Sequence, residues 1–492
     1  MKRTVHGMKQ LAVLLAAALA LSAAALPARA TGSGGPASAP GHLTAHRLWG
    51  QTVQPNADSA PAYLPHVRLA DGRRHAVVYV LAGNNTSDCS PDNPVRRATT
   101  YALDAATGRV IWSEATAGPS RCTTAGPVAD PNGRWVYAPG LDGKVHRYDA
   151  ASGKESRTQG WPHLVTLMPD VEKVSATPTI GTGHLYVTTS GFIGDQGHYE
   201  GHLVTIDLAS GRSRVFNSLC GNIRQLLAGS PGQPTYCPDV QSGLFGRGQG
   251  AIDPVTHDVY VVSGNGPWNG RTDWGDSILK LDPSGSRLLD AFTPTNQQAL
   301  ADSDSDLGST GPALLPAVRA GGHTYHLLVQ GGKGPACGSC NGVALRLLNR
   351  DNLSGHQGPG HLGGDLQDVQ APGGCEVLTA PAVWTSPAHQ IWIFYANLCG
   401  LAAYRLSGPS RGAFHLERAW SIGDGGTTPI VRNGELYVAH SGGITAYNPT
   451  SHAVLWRDSS IGGIHWEYPL VTGNRLFLAD ENGHVTAFAL SR

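Results

Sequence analysis

The sequence has few charged residues and lacks the signatures of several common protein classes. Asp, Glu, Lys and Arg make up 15% of the 492 residues. Basic residues form no extended run, which argues against a nucleic acid or an anionic membrane surface as the partner. The sequence also has no His-Glu-x-x-His zinc motif, so one familiar hydrolase pattern is missing.

Residues 1–30 have the pattern of a secretory signal peptide. A basic start precedes an apolar run from Leu11 to Leu26, and Ala28-Arg29-Ala30 offers a cleavage site. The apolar run is shorter than the ~20 residues of a membrane span, and no cysteine near the cleavage point could carry a lipid. Residues 31–42 are rich in Gly, Ser, Pro and Ala, which predicts a flexible linker. We therefore expect a secreted, extracellular protein without a membrane segment.

All eight cysteines follow the predicted linker. An even number of cysteines in an exported protein favours disulfides, with buried free thiols as the alternative. The cysteines fall into pairs close in sequence, so we predict the bridges Cys89–Cys122, Cys220–Cys237, Cys337–Cys340 and Cys375–Cys399. The Cys337-x-x-Cys340 motif is not followed by the histidine of a c-type haem site, and we interpret it as a structural loop disulfide.

The last third of the sequence shows a repeating unit of four short strands. Segments 427–431, 435–439, 444–448 and 453–457 are strand-like and are separated by turns such as Asn433-Gly434. Such turns require positive φ and are typical of β-hairpins. Four antiparallel strands per unit form one blade of a β-propeller.

The third strand of this unit, with the turn after it, recurs eight times along the chain. The clearest copy is Tyr-Ala-Leu-Asp-Ala-Ala-Thr-Gly, ending at Gly108. Seven aligned turn positions lie 43 to 75 residues apart: Asp104, Asp149, Asp207, Asp282, Asn349, Arg405 and Asn448. The longest spacings fall in the middle of the chain, so insertions are expected in the third, fourth and fifth blades.

The repeated residues are best interpreted as structural. The turn carboxylate accepts backbone N–H groups, while the glycine adopts a left-handed conformation. A large ring follows each turn and is expected to fill the wedge between adjacent blades. These rings are Trp112, Phe216, Phe292 and Trp456.

Ring closure is predicted to involve the first strand after the linker. The last unit lacks a fourth strand, whereas residues 45–51 resemble a fourth strand without partners. Pairing residues 45–51 with residues 485–489 would remove both sheet edges. We therefore predict an all-β, eight-bladed β-propeller over residues 43–492, closed by its N-terminal strand.

The pattern Ala-Leu-Asp-x-x-Thr-Gly-x-x-x-Trp at Ala102–Trp112 resembles the repeat of the PQQ-binding-like β-propellers. That superfamily includes methanol and alcohol quinoprotein dehydrogenases and also non-enzymatic members. The resemblance covers residues 45–490 and implies the propeller fold. It does not by itself imply a function, because function depends on the site and not on the fold.

Three motifs in the middle blades resemble the cofactor site of those dehydrogenases. A Val-Ser-Gly-Asn motif ending at Asn265 resembles their calcium-binding segment and implies Asn265 as a metal ligand. An Asp-rich segment ending at Asp306 implies Asp306 as the catalytic base and a further ligand. A Gln-Gly-Gly-Lys motif ending at Lys333 implies Lys333 as the cation that contacts the quinone. The chemistry is consistent, since calcium takes oxygen ligands and acts as a Lewis acid, and a carboxylate can accept the alcohol proton.

The same comparison reveals three departures from a working quinoprotein site. No adjacent Cys-Cys pair is present, so the disulfide that stacks on the quinone is missing. Arg247 occupies the position of the tryptophan beneath the quinone, so any contact there would come from Arg247. The glutamate ligand of calcium has only Asp195 or Gln196 as a counterpart. Without these stacking groups a planar cofactor loses favourable contacts.

Two further features leave alternatives open. The run Asp302–Asp306 departs from the EF-hand pattern, because Leu307 stands where glycine is needed and Ala313 where glutamate is needed. It is either a solvated acidic loop or another kind of calcium site. Trp268 and Trp274 lie in a glycine-rich insertion, where they either wall a ligand pocket or pack between blades.

Two functional hypotheses follow. The first is a secreted, monomeric binding propeller that holds a small molecule, a glycan or a protein segment in its central funnel. The second is an alcohol or sugar dehydrogenase that depends on calcium and PQQ, the two cofactors that the resemblance implies. Neither hypothesis involves nucleic acid or a membrane.

Overall fold

The computed structural model describes residues 43–492 except 85–88, 90–93, 247–249, 335–344 and 411–412. These residues form eight antiparallel sheets, arranged as the blades of a β-propeller. The predicted fold class is therefore confirmed. Arg247 and the predicted Cys337–Cys340 bridge lie outside the described residues.

The first four blades have four or five strands each. Blade 1 has five strands: Asn56–Ala57, Ala62–Arg68, Arg74–Asn84, Arg97–Asp104 and Val110–Ala117. Blade 2 has four: Val128–Ala129, Trp135–Pro139, Lys144–Asp149 and His163–Leu164. Blade 3 consists of Thr179–Gly181, His184–Thr188, His202–Asp207 and Ser213–Asn217. Blade 4 consists of Ala251–Ile252, Val259–Val262, Ile278–Leu281 and Leu288–Phe292.

The last four blades have four strands each. Blade 5 consists of Ala313–Leu314, Leu327–Gly331, Leu345–Asn349 and Asp365–Val369. Blade 6 consists of Ala382–Thr385, Ile391–Asn397, Gly400–Ser410 and Ala413–Ile422. Blade 7 consists of Ile430–Arg432, Glu435–His440, Gly443–Tyr447 and Val454–Asp458. Blade 8 consists of Leu470–Thr472, Arg475–Ala479, His484–Ser491 and the N-terminal strand Thr44–Thr52.

Short elements outside the blades occur mainly in the middle of the chain, where the sequence predicts insertions. Two small ribbons pair Glu172–Lys173 with Ser190–Gly191, and Val318–Ala320 with His323–Tyr325. Among the described residues the helical elements are the α-helix Gln297–Asp302 and the 3-10 helices Leu307–Ser309 and Pro372–Gly374.

The turn residues of the repeat have the structural role that the sequence predicts. Asp104 Oδ1 accepts the backbone N–H groups of Ala106 and Thr107 at 3.0 and 2.9 Å. In blade 7, Asn448 Oδ1 accepts those of Thr450 and Ser451 at 3.0 and 3.1 Å. These bonds satisfy turn donors that no strand can pair.

Three tryptophans each join one blade to the next blade in the ring. Trp112 of blade 1 donates its indole N–H to the carbonyl of Ala150 in blade 2 at 3.0 Å. The acceptor follows the turn residue Asp149 directly. Trp49 and Trp420 make the equivalent bonds, to Ala105 and Pro449 at 3.1 and 3.0 Å. The ring therefore fills the wedge and also satisfies a carbonyl of the neighbouring turn.

The ring closes as predicted. Thr44–Thr52 pairs antiparallel with His484–Ser491, from Thr44 opposite Ser491 to Thr52 opposite His484. Trp49 packs against Phe477 of the same blade, with ring centroids 5.9 Å apart. The sheet edge of the last blade is thereby covered.

Three of the four predicted disulfides are present among the described residues: Cys89–Cys122, Cys220–Cys237 and Cys375–Cys399. Each bridge holds a segment outside the regular strands, and Cys375–Cys399 ties the connection after blade 5 to blade 6. No described cysteine is free. The bridges therefore fix parts of the chain that the blade sheets leave unpaired.

Candidate functional site

Connections between the blades surround a cavity of about 260 Å³. Its walls come from nearly every part of the ring, from Thr124 after blade 1 to Trp466 before blade 8. A cavity lined in this way lies at the centre of the propeller. Its charged lining residues are Lys173, Asp195, Asp304, Asp306, Lys333 and Glu376.

The three residues that the resemblance implicates lie close together: Asp306 and Lys333 line the cavity, and Asn265 contacts Asp306 behind them. Asn265 donates its backbone N–H to Asp306 Oδ1 at 2.8 Å. Lys333 Nζ lies 3.5 Å from Asp306 Oδ2 and 2.7 Å from Asp304 Oδ2. Asn265 Nδ2 donates to Asp195 Oδ2 at 3.0 Å. We call Asp195, Asn265, Asp304, Asp306 and Lys333 the acidic cluster.

The backbone around Asp306 holds its carboxylate in place. Asp306 lies between the helix Gln297–Asp302 and the 3-10 helix Leu307–Ser309, and its carbonyl accepts the N–H of Lys333 at 2.8 Å. Gly264 is required beside it, because a Cβ there would come within 2.3 Å of Asp306 Oδ1. Asp306 is only 6% exposed, which rules out the solvated-loop alternative for this residue. Asp304, with a side chain 61% exposed, faces solvent.

Of the two possible counterparts of the missing glutamate ligand, Asp195 is the one that joins the acidic cluster. Its Oδ1 accepts the Tyr199 hydroxyl at 2.5 Å, and its Oδ2 accepts the amide of Gln241 at 3.3 Å. Gln196, the other candidate, has its amide oxygen 2.8 Å from an Arg121 guanidinium nitrogen instead. The cluster thus joins blades 3, 4 and 5.

Burial and like charge shift the ionisation of the cluster. Burial raises the pKa of Asp306 to about 6, with Asp304 and Asp195 adding to the shift while Lys333 and the Asn265 N–H oppose it. Burial alone would lower the pKa of Lys333, but Asp306 and Asp304 outweigh it and raise that pKa. Lys333 therefore remains charged while Asp306 is ionised above pH 6.

The cluster offers the donor set of a hard dication. Three carboxylates and one ammonium leave two negative charges uncompensated. Asn265 Oδ1 is buried and has no hydrogen-bond partner among the described residues. Carboxylate and amide oxygens are the ligands that Ca²⁺ prefers, so the residues present fit a calcium ion.

The residues fit PQQ less well. The cavity lining contains four carboxylates against two lysines, and PQQ itself is a tricarboxylate. Like charges in a partly buried site repel. The negative charge of the cavity therefore suits a bound cation and disfavours the anionic quinone.

Trp268 and Trp274 belong to the packing between blades. Trp274 is 3% exposed and packs in an apolar cluster with Phe216 and Leu244, and Trp268 lies against the same cluster. Neither lines the central cavity as far as the structure describes it. Of the two alternatives for these tryptophans, packing between blades is therefore the one that the structure favours over a pocket wall.

The aromatic walls of the cavity come from residues that the sequence did not single out. Phe192, Phe245 and Trp466 line it. A second, more apolar cavity of about 710 Å³ shares Glu376, Leu378, His465 and Trp466 with the first one and extends to Leu398, which is 90% exposed. The funnel thus has an acidic side at blades 3–5 and an apolar side at blades 6–8.

A family model described as outer membrane protein assembly factor BamB matches residues 46–230 and 383–491, more than half of the chain. The chain belongs to this family. The match omits residues 231–382, which include Asn265, Asp304, Asp306 and Lys333. Most of the acidic cluster of this BamB-family propeller therefore lies in the segment that departs from the family pattern.

Solved structures support the fold. BamB from Moraxella catarrhalis is 13% identical with a TM-score of 0.50, covering 91% of this chain and all of that one. Sqt1 from Saccharomyces cerevisiae is 12% identical with a TM-score of 0.53, covering 90% of this chain and 98% of that one. A search of curated protein sequences found no match. Within the described residues, no helix has the length and apolar character needed to cross a bilayer.

Proposed function

We propose that this protein is an exported binding propeller whose central funnel holds a small oxygen-rich ligand, such as a sugar, through a calcium ion at the acidic cluster. The observation that carries the proposal is that Asp195 and Asp306 line the cavity and that Asn265 contacts both of them. A dication held there would keep coordination positions for hydroxyl or carboxylate oxygens of a ligand.

The opposite side of the funnel supports a ligand with an apolar face. Trp466 and Leu378 line both connected cavities, and Ile464 and Leu398 extend the apolar wall. Sugars present hydroxyls at their edges and C–H groups on their faces, so an oxygen-binding ion and an indole ring suit them together. Export is supported by the three disulfides, which persist in oxidising compartments.

A calcium- and PQQ-dependent dehydrogenase is the second candidate, and one observation favours it. Asp306, with its pKa raised to about 6, would be a carboxylate base poised near neutral pH beside Asn265 and Lys333. The surplus of carboxylates in the cavity and the missing stacking groups weigh against it.

The two candidates separate in one titration series. Calcium is added to chelator-treated protein in a calorimeter, followed by a panel of monosaccharides and, separately, PQQ. The binding propeller predicts one calcium per chain and calcium-dependent heat with at least one sugar. The dehydrogenase predicts uptake of PQQ and dye reduction in the presence of an alcohol or a sugar. Absence of calcium binding at millimolar concentration would contradict both.

The matched pair for this experiment is Asp306→Asn and Asp302→Asn. Both positions lie in the same Asp-rich segment, but Asp302 is exposed and contacts Gln298, outside the cluster. Asp306→Asn is expected to weaken calcium binding at least about tenfold, because a charged ligand is replaced by a neutral one. Asp302→Asn should bind calcium as the unaltered protein does.

A further inference from the structure

A second group of ionisable side chains is buried away from the cavity wall. Glu172 lies in the connection before blade 3, His202 begins that blade's third strand, and Glu200 lies two residues before it. All three side chains have 0% of their surface exposed. One ligand atom of each lies within 4.8 Å of the other two. Two carboxylates and one imidazole are therefore brought together out of contact with solvent.

The orientation of His202 is fixed by its neighbour Asn217. The Asn217 amide nitrogen donates to the carbonyls of Ile223 and Gln225 at 2.9 and 3.0 Å. Its Oδ1 therefore faces His202 Nδ1, at 2.9 Å, and accepts the proton of that nitrogen. In the neutral ring the lone pair then resides on Nε2, on the side of the carboxylates. Metal-binding histidines are oriented by their other nitrogen in the same way.

Glu200 lacks the hydrogen bonds that a buried charge needs. Glu172 has them, because its Oε2 accepts the Thr166 hydroxyl and its Oε1 accepts the backbone N–H of Glu200 at 3.0 Å. Neither oxygen of Glu200 accepts a hydrogen bond from the described residues. The nearest ring nitrogen is Nε2 of His198, 3.0 Å from Glu200 Oε1, but it interacts with the Cys237 carbonyl at 2.8 Å. His202 Nε2, 3.2 Å from Glu172 Oε2, also makes no hydrogen bond. Unpaired buried charges are costly, so such a group calls for a cation or a proton.

We propose that Glu172, Glu200 and His202 bind a structural transition-metal dication, with Zn²⁺ as the ion to test. Bonds of about 2.0–2.2 Å to nitrogen and oxygen place neighbouring ligands roughly 3–3.5 Å apart, and the Glu172–His202 distance of 3.2 Å fits this spacing. Two carboxylates also neutralise a dication when the imidazole is neutral. The nitrogen ligand favours a transition metal over calcium, which separates this site from the acidic cluster.

The ion would hold the segment that presents Asp195 to the funnel. Tyr199, next to Glu200 in sequence, donates its hydroxyl to Asp195. The backbone carbonyl of Tyr199 accepts the N–H of Gln241 at 2.7 Å. Anchoring Glu200 to Glu172 and His202 fixes this stretch against the connection before blade 3. The site stabilises the third blade and does not depend on what the funnel binds.

Elemental analysis of the purified full-length protein tests the proposal. The protein is produced in an oxidising compartment with zinc supplied, dialysed against a chelator and analysed by plasma mass spectrometry. About one zinc per chain is expected, because a solvent-free site releases its ion slowly. Glu200→Gln is expected to reduce the zinc content at least about tenfold.

Glu467→Gln is the matched control. Glu467 is also fully buried, and one of its oxygens also lacks a hydrogen-bond partner among the described residues, but it lies before blade 8. Its substitution should leave the zinc content unchanged. Equal loss in both variants would overturn the proposal, since the effect would then follow from general destabilisation.

X-ray absorption at the zinc edge keeps the proposal falsifiable if Glu200→Gln does not fold. The unaltered protein should show a first shell of nitrogen and oxygen with imidazole scattering and no sulfur, since Cys220 and Cys237 form a disulfide. A sulfur-containing shell, or unaltered protein without a stoichiometric metal, would contradict the site. If the unaltered protein holds no stoichiometric metal, Glu172 and Glu200 share a proton in place of the ion.

Discussion

Asn265 donates its backbone N–H to Asp306 Oδ1 at 2.8 Å, although they are 41 residues apart in sequence, with two strands of blade 4 between them. The contact brings two of the motifs in the middle of the chain to a single point of the central cavity. It also makes Asp306 a buried acid whose ionisation should influence both stability and binding.

The stability of the protein in EDTA should depend on pH through Asp306. Its pKa is raised from 3.8 to about 6 in the folded protein, so the folded state binds the proton more tightly than the unfolded state. The free energy of unfolding should therefore fall as the pH rises from about 4 to about 7, by on the order of 3 kcal/mol at most. Asp306→Asn should lack this loss. Urea midpoints at pH 4 and 7 measure it, and Asp302→Asn should follow the unaltered protein.

Lys333→Met should tighten calcium binding. Lys333 Nζ lies 2.7 Å from Asp304 Oδ2 and 3.5 Å from Asp306 Oδ2, so it competes with a dication for the same carboxylates. Its removal should increase the calcium affinity about tenfold or more, since the charges are partly buried. Calorimetric titration checks the affinity, with Lys144→Met as a control at an ion pair in blade 2. Weaker calcium binding by Lys333→Met would contradict this competition and would mean that Lys333 helps to hold the ligand of the site.

The tryptophan between blades 1 and 2 should contribute both area and a hydrogen bond. Trp112→Phe keeps most of the ring but removes the bond to the Ala150 carbonyl, which also accepts the Tyr79 hydroxyl at 2.9 Å. We expect a loss of about 1 kcal/mol for Trp112→Phe and about 3–5 kcal/mol for Trp112→Ala. Urea unfolding gives both values. A larger loss in the phenylalanine variant than in the alanine variant would refute this division.

The repeated glycine should be needed for contact with the ring as well as for its backbone conformation. Gly153 has φ +73°, and a Cβ there would come within 2.7 Å of Trp112 Cδ2. Gly133 has a similar φ of +75° but has nothing within 4 Å. Gly133→Ala should cost about 1 kcal/mol of unfolding free energy, and Gly153→Ala should cost at least about 1 kcal/mol more because the ring must shift. Equal melting temperatures of the two variants would contradict the contact.

The propeller could be predicted from the sequence because its signals are local and repeated. The turn at Asp104–Gly108 and the ring of Trp112 specify one blade each time they recur. Closure was also predictable, since residues 45–51 lack any other partner. Blade 1 differs, because its extra strand Asn56–Ala57 is too short to be recognised in the sequence.

The site was predictable only in part, because it depends on contacts between distant segments. Asn265, Asp306 and Lys333 were accessible through motif resemblance, whereas Glu376 and Trp466 carry no local pattern. Glu172 joins Glu200 and His202 only in three dimensions. The alternation of His198, Glu200 and His202 places three possible ligands on one face of an extended chain, and that signal was available in the sequence.

The pairing of Thr44 with Ser491 has a mechanical consequence. These residues lie at the same end of the closing strand pair, so a force pulling them apart loads its hydrogen bonds one after another. The seam should peel from this end at low force, with no need to break all its bonds at once in shear. The seam between the first and last strands should therefore open at low force, whatever the resistance of the ring to heat or urea.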